Sequence, residues 1–192
     1  MAECTWAGMT IEYSNAVVMP SAPVAELLPN IIPYCKGKAL DLATGSGCIA
    51  KWLETTECTD IHASDFSQMA CAQARKNTTR TKVMQADWYY GLARDYDLIV
   101  SNPPYGTTRE WQVQPQFHQL LPQMAVDGGE NGTSALATVI AGSVDRLNSN
   151  GHLAVVHDEA QLEWVKTQAT DQLVYVTTYT HWQCGLTVFK KI

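Results

Sequence analysis

The segment Ser101-Asn102-Pro103-Pro104-Tyr105 carries the most specific chemistry in the chain. It follows an apolar run, residues 96–100, that reads as a buried strand. Neither proline has an N–H, their φ angles are fixed, and Asn102 and Pro103 are pushed toward extended backbone. The Asn102 side chain and the neighbouring carbonyls are thereby held in place. Fixed acceptors at a strand end can grip a planar NH2 group; an ordinary proline-rich turn is the other reading of the same residues.

Three more strand ends carry polar residues. In Lys38-Ala39-Leu40-Asp41-Leu42-Ala43-Thr44-Gly45-Ser46-Gly47-Cys48-Ile49-Ala50 a short apolar strand runs into a small-residue loop and then a helical pattern. This arrangement lets backbone approach a nucleotide-like ligand at the edge of a parallel sheet. With only Gly45 and Gly47 the loop departs from the three-glycine dinucleotide pattern, and without a Gly-Lys-Ser/Thr run it does not read as a phosphate loop. Asp65 stands 24 positions after Asp41, at the tip of the next strand. There it can accept hydrogen bonds from ribose hydroxyls, or cap the following helix. Residues 82–86 lead into Asp87-Trp88, where Trp88 faces a ligand or fills the core. Ligands of open α/β sheets bind at this carboxyl edge.

The elements that must position these residues alternate along the chain. Helices are expected at 24–32, interrupted by Pro29 and stopped by Pro33, and at 49–54, 67–77, 134–147 and 159–168. Asp65 or Ser67 caps the 67–77 helix, and Gly151 stops the 134–147 helix. Strands are expected at 9–13, 16–19, 39–42, 60–64, 82–86, 97–101, 152–156, 173–179 and 186–190. The last two, rich in Thr and Val, form an antiparallel hairpin that closes the sheet. The expected fold is α/β: a Rossmann-like, seven-stranded, mostly parallel sheet with helices on both faces and a short N-terminal β-hairpin.

With 192 residues and 46% hydrophobic content, the chain is expected to form one domain, 1–192, around a sizeable core. The net charge of −6 leaves no electrostatic footprint for nucleic acid. Arg75, Lys76, Arg80 and Lys82 are either a local basic patch or a solvated helix end. Six scattered cysteines and five histidines show no metal-ligand spacing, so no metal site and reduced thiols are expected. No apolar run is long enough to span a membrane and no signal peptide is evident, which points to the cytoplasm. Residues 106–132 form a connection long enough to be functional. It carries Arg109, Trp111, Phe117 and His118, suited to gripping a substrate over the site if the loop is not passive surface; His118 reads as a hydrogen-bonded surface residue rather than a base.

Asp41-Leu42-Ala43-Thr44-Gly45-Ser46-Gly47, Ala86-Asp87-Trp88-Tyr89 and Ser101-Asn102-Pro103-Pro104-Tyr105 resemble the class I S-adenosylmethionine-dependent methyltransferases that methylate nitrogen. Within that group the chain is most similar to the bacterial protein-(glutamine-N5) methyltransferases that modify peptide chain release factors. Residues 6–20 resemble that family's leading β-hairpin, and Leu121-Pro122-Gln123-Met124-Ala125 through Gly128-Gly129-Glu130-Asn131-Gly132 its Glu-Pro-x-x-Ala-Leu and Gly-Gly-x-Asp-Gly segment. The resemblance implies S-adenosyl-L-methionine as cofactor, with S-adenosyl-L-homocysteine as product. It implies cofactor binding by Asp41, Ala43, Thr44, Gly45, Gly47, Asp65, Phe66, Asp87, Trp88 and Asn102, and catalysis by Asn102, Pro103 and Tyr105. The Asn102 side-chain oxygen and the Pro103 carbonyl would accept the two N–H groups of a planar amide while Tyr105 packs against it.

Ala43 stands where that family has a first glycine, and Ser21-Ala22-Pro23-Val24 where it has Arg-Pro-Glu-Thr. The helical N-terminal domain with which those enzymes grip the release factor has no counterpart in the sequence, and a partner subunit is one expected replacement. Three classes of function stay open. The first is a methyltransferase acting on a glutamine of a release factor or another protein. The second is a methyltransferase of adenine N6 in RNA or DNA, or of a small amide or amine, since the same motif serves an exocyclic amine. The third is a non-catalytic binding module.

Overall fold

The computed structural model describes residues 2–113 and 122–192. The chain opens with a two-stranded antiparallel sheet, β1 (Ala2–Trp6) and β2 (Met9–Tyr13), joined by a turn in which Ala7 and Gly8 both have positive φ. The expected hairpin is thus present, but displaced toward the N-terminus. Residues 16–19 form no strand. A turn, Val17 N–H to Ser14 C=O at 3.1 Å, delivers this stretch to the end of the main sheet rather than alongside another strand.

Seven further strands form one sheet: β3 (Lys36–Leu42), β4 (Glu57–Asp65), β5 (Lys82–Gln85), β6 (Tyr96–Ser101), β7 (Leu147–Asp158), β8 (Leu173–His181) and β9 (Cys184–Lys191). Their order is β5-β4-β3-β6-β7-β9-β8. The pairs from β5 to β7 are parallel, and β9 pairs antiparallel with both β7 and β8. This is the expected Rossmann-like sheet with its closing hairpin, whose turn residues Trp182 and Gln183 both have positive φ. Gly151 does not end a helix. It lies within β7, which starts earlier than expected, at a register shift where a side chain would press on the Tyr96 and Asn148 carbonyls.

Alternation along the strands builds two cores, one on each face. Ala39, Leu98, Val100, Ala154, Val156 and Val188 pack with α1 (Ala22–Leu27) and α2 (Cys48–Leu53). Leu40, Leu42, Ile99, Leu153, Val155 and Phe189 pack with α5 (Ser134–Ser143) and α6 (Leu162–Lys166), numbered after α3 (Gln68–Asn77) and α4 (Thr108–Val113). Each fully buried Leu or Ile stabilises the fold by roughly 2 kcal/mol. The expected 24–32 helix is α only to Leu27; Pro29 then starts a 3-10 turn, Leu28–Tyr34, because a proline lacks the N–H that would continue the ladder. The 159–168 helix likewise begins as a 3-10 turn, Glu159–Gln161. No helix of the described residues is long and apolar enough to cross a membrane.

Register settles where the site lies. Leu42 pairs with both Ser64 and Ser101, and Asp65 pairs with Gln85. The four loops that follow β3, β4, β5 and β6 therefore leave the sheet at one edge.

Candidate active site

A cavity of about 480 Å³ opens at that edge, bounded by all four loops. Its floor is the loop after β3. Ala43, Gly45 and Gly47 all have positive φ, so the chain coils tightly, and a side chain at Gly45 would meet nothing within 4 Å. That open face lets a ligand lie directly on backbone. Thr44 is pinned by its N–H to the Ser64 carbonyl at 2.9 Å and by its hydroxyl to Asp41 Oδ2 at 2.5 Å.

Asp41 and Gly47, both expected to touch a cofactor, do not line the cavity. Asp41 is wholly buried beneath the loop, and its Oδ2 also accepts the Ala50 N–H at 2.9 Å, tying the loop to the start of α2. Burial, only partly offset by these bonds, pushes its carboxyl up to about 7. Gly47 caps α2 in the left-handed region and abuts α3, where an added Cβ would stand 2.8 Å from the Ala74 Cα. Both residues shape the site from behind it.

Ala43, Thr44, Gly45, Asp65, Phe66, Asp87, Trp88, Asn102, Pro103 and Tyr105 all line the cavity. Asp65 ends β4 and holds two backbone N–H groups beside the cavity. One oxygen accepts the Ser67 N–H at the head of α3, and the other accepts the Gly45 N–H, each at 2.9 Å. The cap proper is Ser67, whose hydroxyl accepts from Ala70 N–H. Each Asp65 oxygen keeps a lone pair for a ligand hydroxyl. Trp88, half-buried with φ of 48°, stands on the wall beside the exposed Asp87, and Phe66 is 58% exposed at the rim.

Asn102 closes the site from β6. Its Oδ1 is buried and finds no hydrogen-bond partner among the described residues. Leaving such an oxygen unpaired costs about 1–3 kcal/mol, which a ligand N–H would recover. Ser101, next to it, donates its hydroxyl to the Leu42 carbonyl at 2.8 Å and so fixes the start of the turn. Tyr105 packs against both cores, and burial pushes its hydroxyl up to about 12.

The segment after the turn is built around it. The Gly128 N–H donates to the Gly106 carbonyl at 2.8 Å, and the Gly106 N–H donates to the Val126 carbonyl at 3.0 Å. A side chain at Gly128 would lie 2.6 Å from the Pro104 carbonyl, and one at Gly132 would collide with that of Tyr105. The glycines are thus explained by close backbone approach, not by flexibility. Arg109 and Trp111 lie on α4 and do not line the cavity; Phe117, His118 and Leu121 lie outside the described residues.

Sequence reasoning missed an apolar part of the cavity wall. Val17, Val18, Met19 and Pro20 form it, with Met124 and Val126 beside them, so an apolar stretch read as a strand instead faces the cavity. It also missed Asn77, whose amide donates to the Ser46 and Glu12 carbonyls at 2.7 Å each and so fastens the N-terminal hairpin to the β3 loop. Neither has a local pattern by which one sequence would reveal it. Among the described lining residues the only charged side chains are Asp65 and Asp87. Of the basic patch considered earlier, Arg75 and Arg80 bond to backbone carbonyls and Lys82 pairs with Asp60 at 2.7 Å.

Residues 21–130, which contain the loop, Asp65, Asp87-Trp88 and the Asn-Pro-Pro-Tyr turn, match the methyltransferase small domain. The chain belongs to that family. The chain is 31% identical over 176 residues to a ribosomal protein uL3 glutamine methyltransferase from Xanthomonas campestris pv. campestris, covering 85% of this chain and 57% of that protein. A protein of the same name from Neisseria meningitidis serogroup A is 29% identical over 198 residues, 90% of this chain and 65% of its own length. The chain thus spans little more than half of the first of these relatives. Among solved structures, a methyltransferase from Pyrococcus furiosus superposes with a TM-score of 0.69 at 16% identity, covering 94% of this chain and 87% of that one, and so shares the fold of this small methyltransferase domain.

Proposed function

We propose that the chain is an S-adenosylmethionine-dependent N-methyltransferase whose acceptor is the side-chain amide of a protein glutamine. The observation that carries this reading is the unpartnered, buried Oδ1 of Asn102 in a cavity also lined by the open Gly45 backbone and the Asp65 carboxylate. The residues present fit the cofactor. Ala43, Thr44 and Gly45 would carry its amino-acid and sugar portions, Asp65 would accept from ribose hydroxyls, and Asp87-Trp88 would flank the base. S-adenosylmethionine, when bound, supplies a sulfonium methyl group already activated for transfer.

The work left to the protein is orientation and exclusion of water. An amide nitrogen is a weak nucleophile because its lone pair is delocalised. Asn102 Oδ1 and the Pro103 carbonyl accept its two N–H bonds, which raises electron density at nitrogen and fixes the direction of attack. Val17, Val18 and Met19 give the cavity an apolar lining suited to the uncharged part of an acceptor side chain. A neutral acceptor suits a lining whose only described charges are two carboxylates, and this disfavours a phosphate-bearing strand.

The relatives named above support a ribosomal protein as acceptor in place of the release factor that the motif resemblance suggested. The test is transfer of labelled methyl from S-adenosylmethionine to a panel of ribosomal protein uL3, release factor, tRNA and oligonucleotide DNA. Label on a glutamine of uL3 is the expected result; label on nucleic acid alone would overturn the reading.

A further inference from the structure

Three chain segments meet on the side chain of Gln161, in the 3-10 turn after β7. Its Nε2 donates to the Tyr105 carbonyl at 3.0 Å and to the Gly132 carbonyl at 3.1 Å, while its Oε1 accepts the Asp158 N–H at 3.1 Å. Asp158 in turn accepts the Ala160 N–H at 2.8 Å, so the end of β7 is locked by reciprocal bonds. A carboxamide is required here, since two donors and one acceptor must sit on one planar group. Gly132 leaves the space for it: a Cβ at that position would lie 2.7 Å from Nε2.

Tyr105 is the far end of the turn that begins at Asn102. The near end is fixed at the end of β6, where the Ser101 hydroxyl donates to the Leu42 carbonyl of β3. Between them, Pro103 and Pro104 have locked φ angles and absorb little displacement. Movement of the Tyr105 carbonyl therefore reaches Asn102 instead of being relaxed on the way.

We infer that Gln161 is a positioning residue for methyl transfer: it sets the Asn102 oxygen by anchoring Tyr105 to the end of β7. This rests on the amide N-methyltransferase reading given above. Gln161→Met keeps the length and loses all three bonds. At saturating cofactor it should lower single-turnover transfer to uL3 by about tenfold, in the range expected for a small misplacement of a catalytic group. Affinity for S-adenosyl-L-homocysteine, measured by calorimetry, should stay within about twofold, because the β3 and β4 loops are not touched. In an Asn102→Ala background the same substitution should change the rate less than about twofold, since the group it positions is gone.

An equal loss in both backgrounds, or no loss in either, would overturn the inference. A second readout needs no turnover. The Asn102 side-chain amide resonance, followed by 15N NMR, should shift in Gln161→Met, and an unmoved resonance in a folded variant would also overturn it. If the parent chain methylates no acceptor, the proposed reaction falls, and the resonance still decides the role of Gln161.

Discussion

The ends of β3 and β6 lie side by side, and each presents a polar residue with a buried oxygen that lacks a partner among the described residues: Asp41 Oδ1 and Asn102 Oδ1. Their surroundings differ. Asp41 has its other oxygen fully engaged, by the Thr44 hydroxyl and the Ala50 N–H, and faces away from the cavity. Asn102 lines the cavity. A buried carboxylate that gathers backbone and hydroxyl donors builds a loop, whereas a buried amide oxygen left open at a cavity is kept for something that arrives. Two similar deficits of hydrogen bonding thus serve structure in one place and binding in the other.

Removing the open oxygen gives the sharpest test of that difference. Asn102→Ala should lower single-turnover methyl transfer by about 100-fold or more. Its unfolding midpoint should be no lower than that of the parent, because no internal hydrogen bond of the Oδ1 is lost and the cost of its unpaired burial is relieved. A variant that transfers at the parent rate would return the Pro-Pro turn to a purely structural role.

Asp65 combines both behaviours, and its substitution should show both. Asp65→Ala removes bonds to Gly45 and Ser67 as well as the acceptor for ribose hydroxyls. Cofactor affinity should fall by roughly 1.5–3 kcal/mol, read by calorimetry, the range for hydrogen bonds to a charged group. Unchanged affinity would remove Asp65 from the cofactor site.

Asp41 sharpens the comparison through pH. Burial raises its carboxyl from 3.8 to about 7, so the folded chain holds this proton more tightly than the unfolded one. The associated stability is complete below pH 3.8 and is lost as pH rises through about 7. Asp41→Asn should flatten that part of the stability curve in denaturant titrations at a series of pH values. A slope identical to the parent would show that Asp41 does not titrate there.

Ala43 should give the smallest change. It holds φ at 60°, where a Cβ is disfavoured. Ala43→Gly should stabilise the chain by about 1 kcal/mol, the relief of left-handed strain less the greater freedom of unfolded glycine. A loss of stability would mean that the methyl group packs productively against the loop.

Much of this architecture is legible in the sequence. Apolar runs mark the inner strands of the main sheet, such as β6 and β9, which are buried on both faces, whereas the edge strands β5 and β8 are partly exposed and carry more polar residues. The polar residues ending four of the strands also mark the ligand edge. What escaped was contact made at a distance. Residues 16–19 carry a strand-like composition but meet no partner strand, and only the tertiary fold shows that they face the cavity. The motif in which Asp41 sits points to a cofactor contact, whereas burial places it under the loop. Gln161 and Asn77 act across 56 and 65 positions of chain, through amides whose neighbours in sequence say nothing about them.

The cavity's placement of tryptophan has an optical consequence. Of six indoles in the chain, Trp6 and Trp88 line the cavity, and Trp6 donates its N–H to the Ser21 carbonyl at 2.7 Å. Trp182, at the tip of the closing hairpin, is 82% exposed, so its emission should be that of an indole in water. Filling the cavity perturbs the first two and leaves the third as a constant red-shifted background. Replacing Trp182 with phenylalanine turns intrinsic fluorescence into a label-free gauge of occupancy.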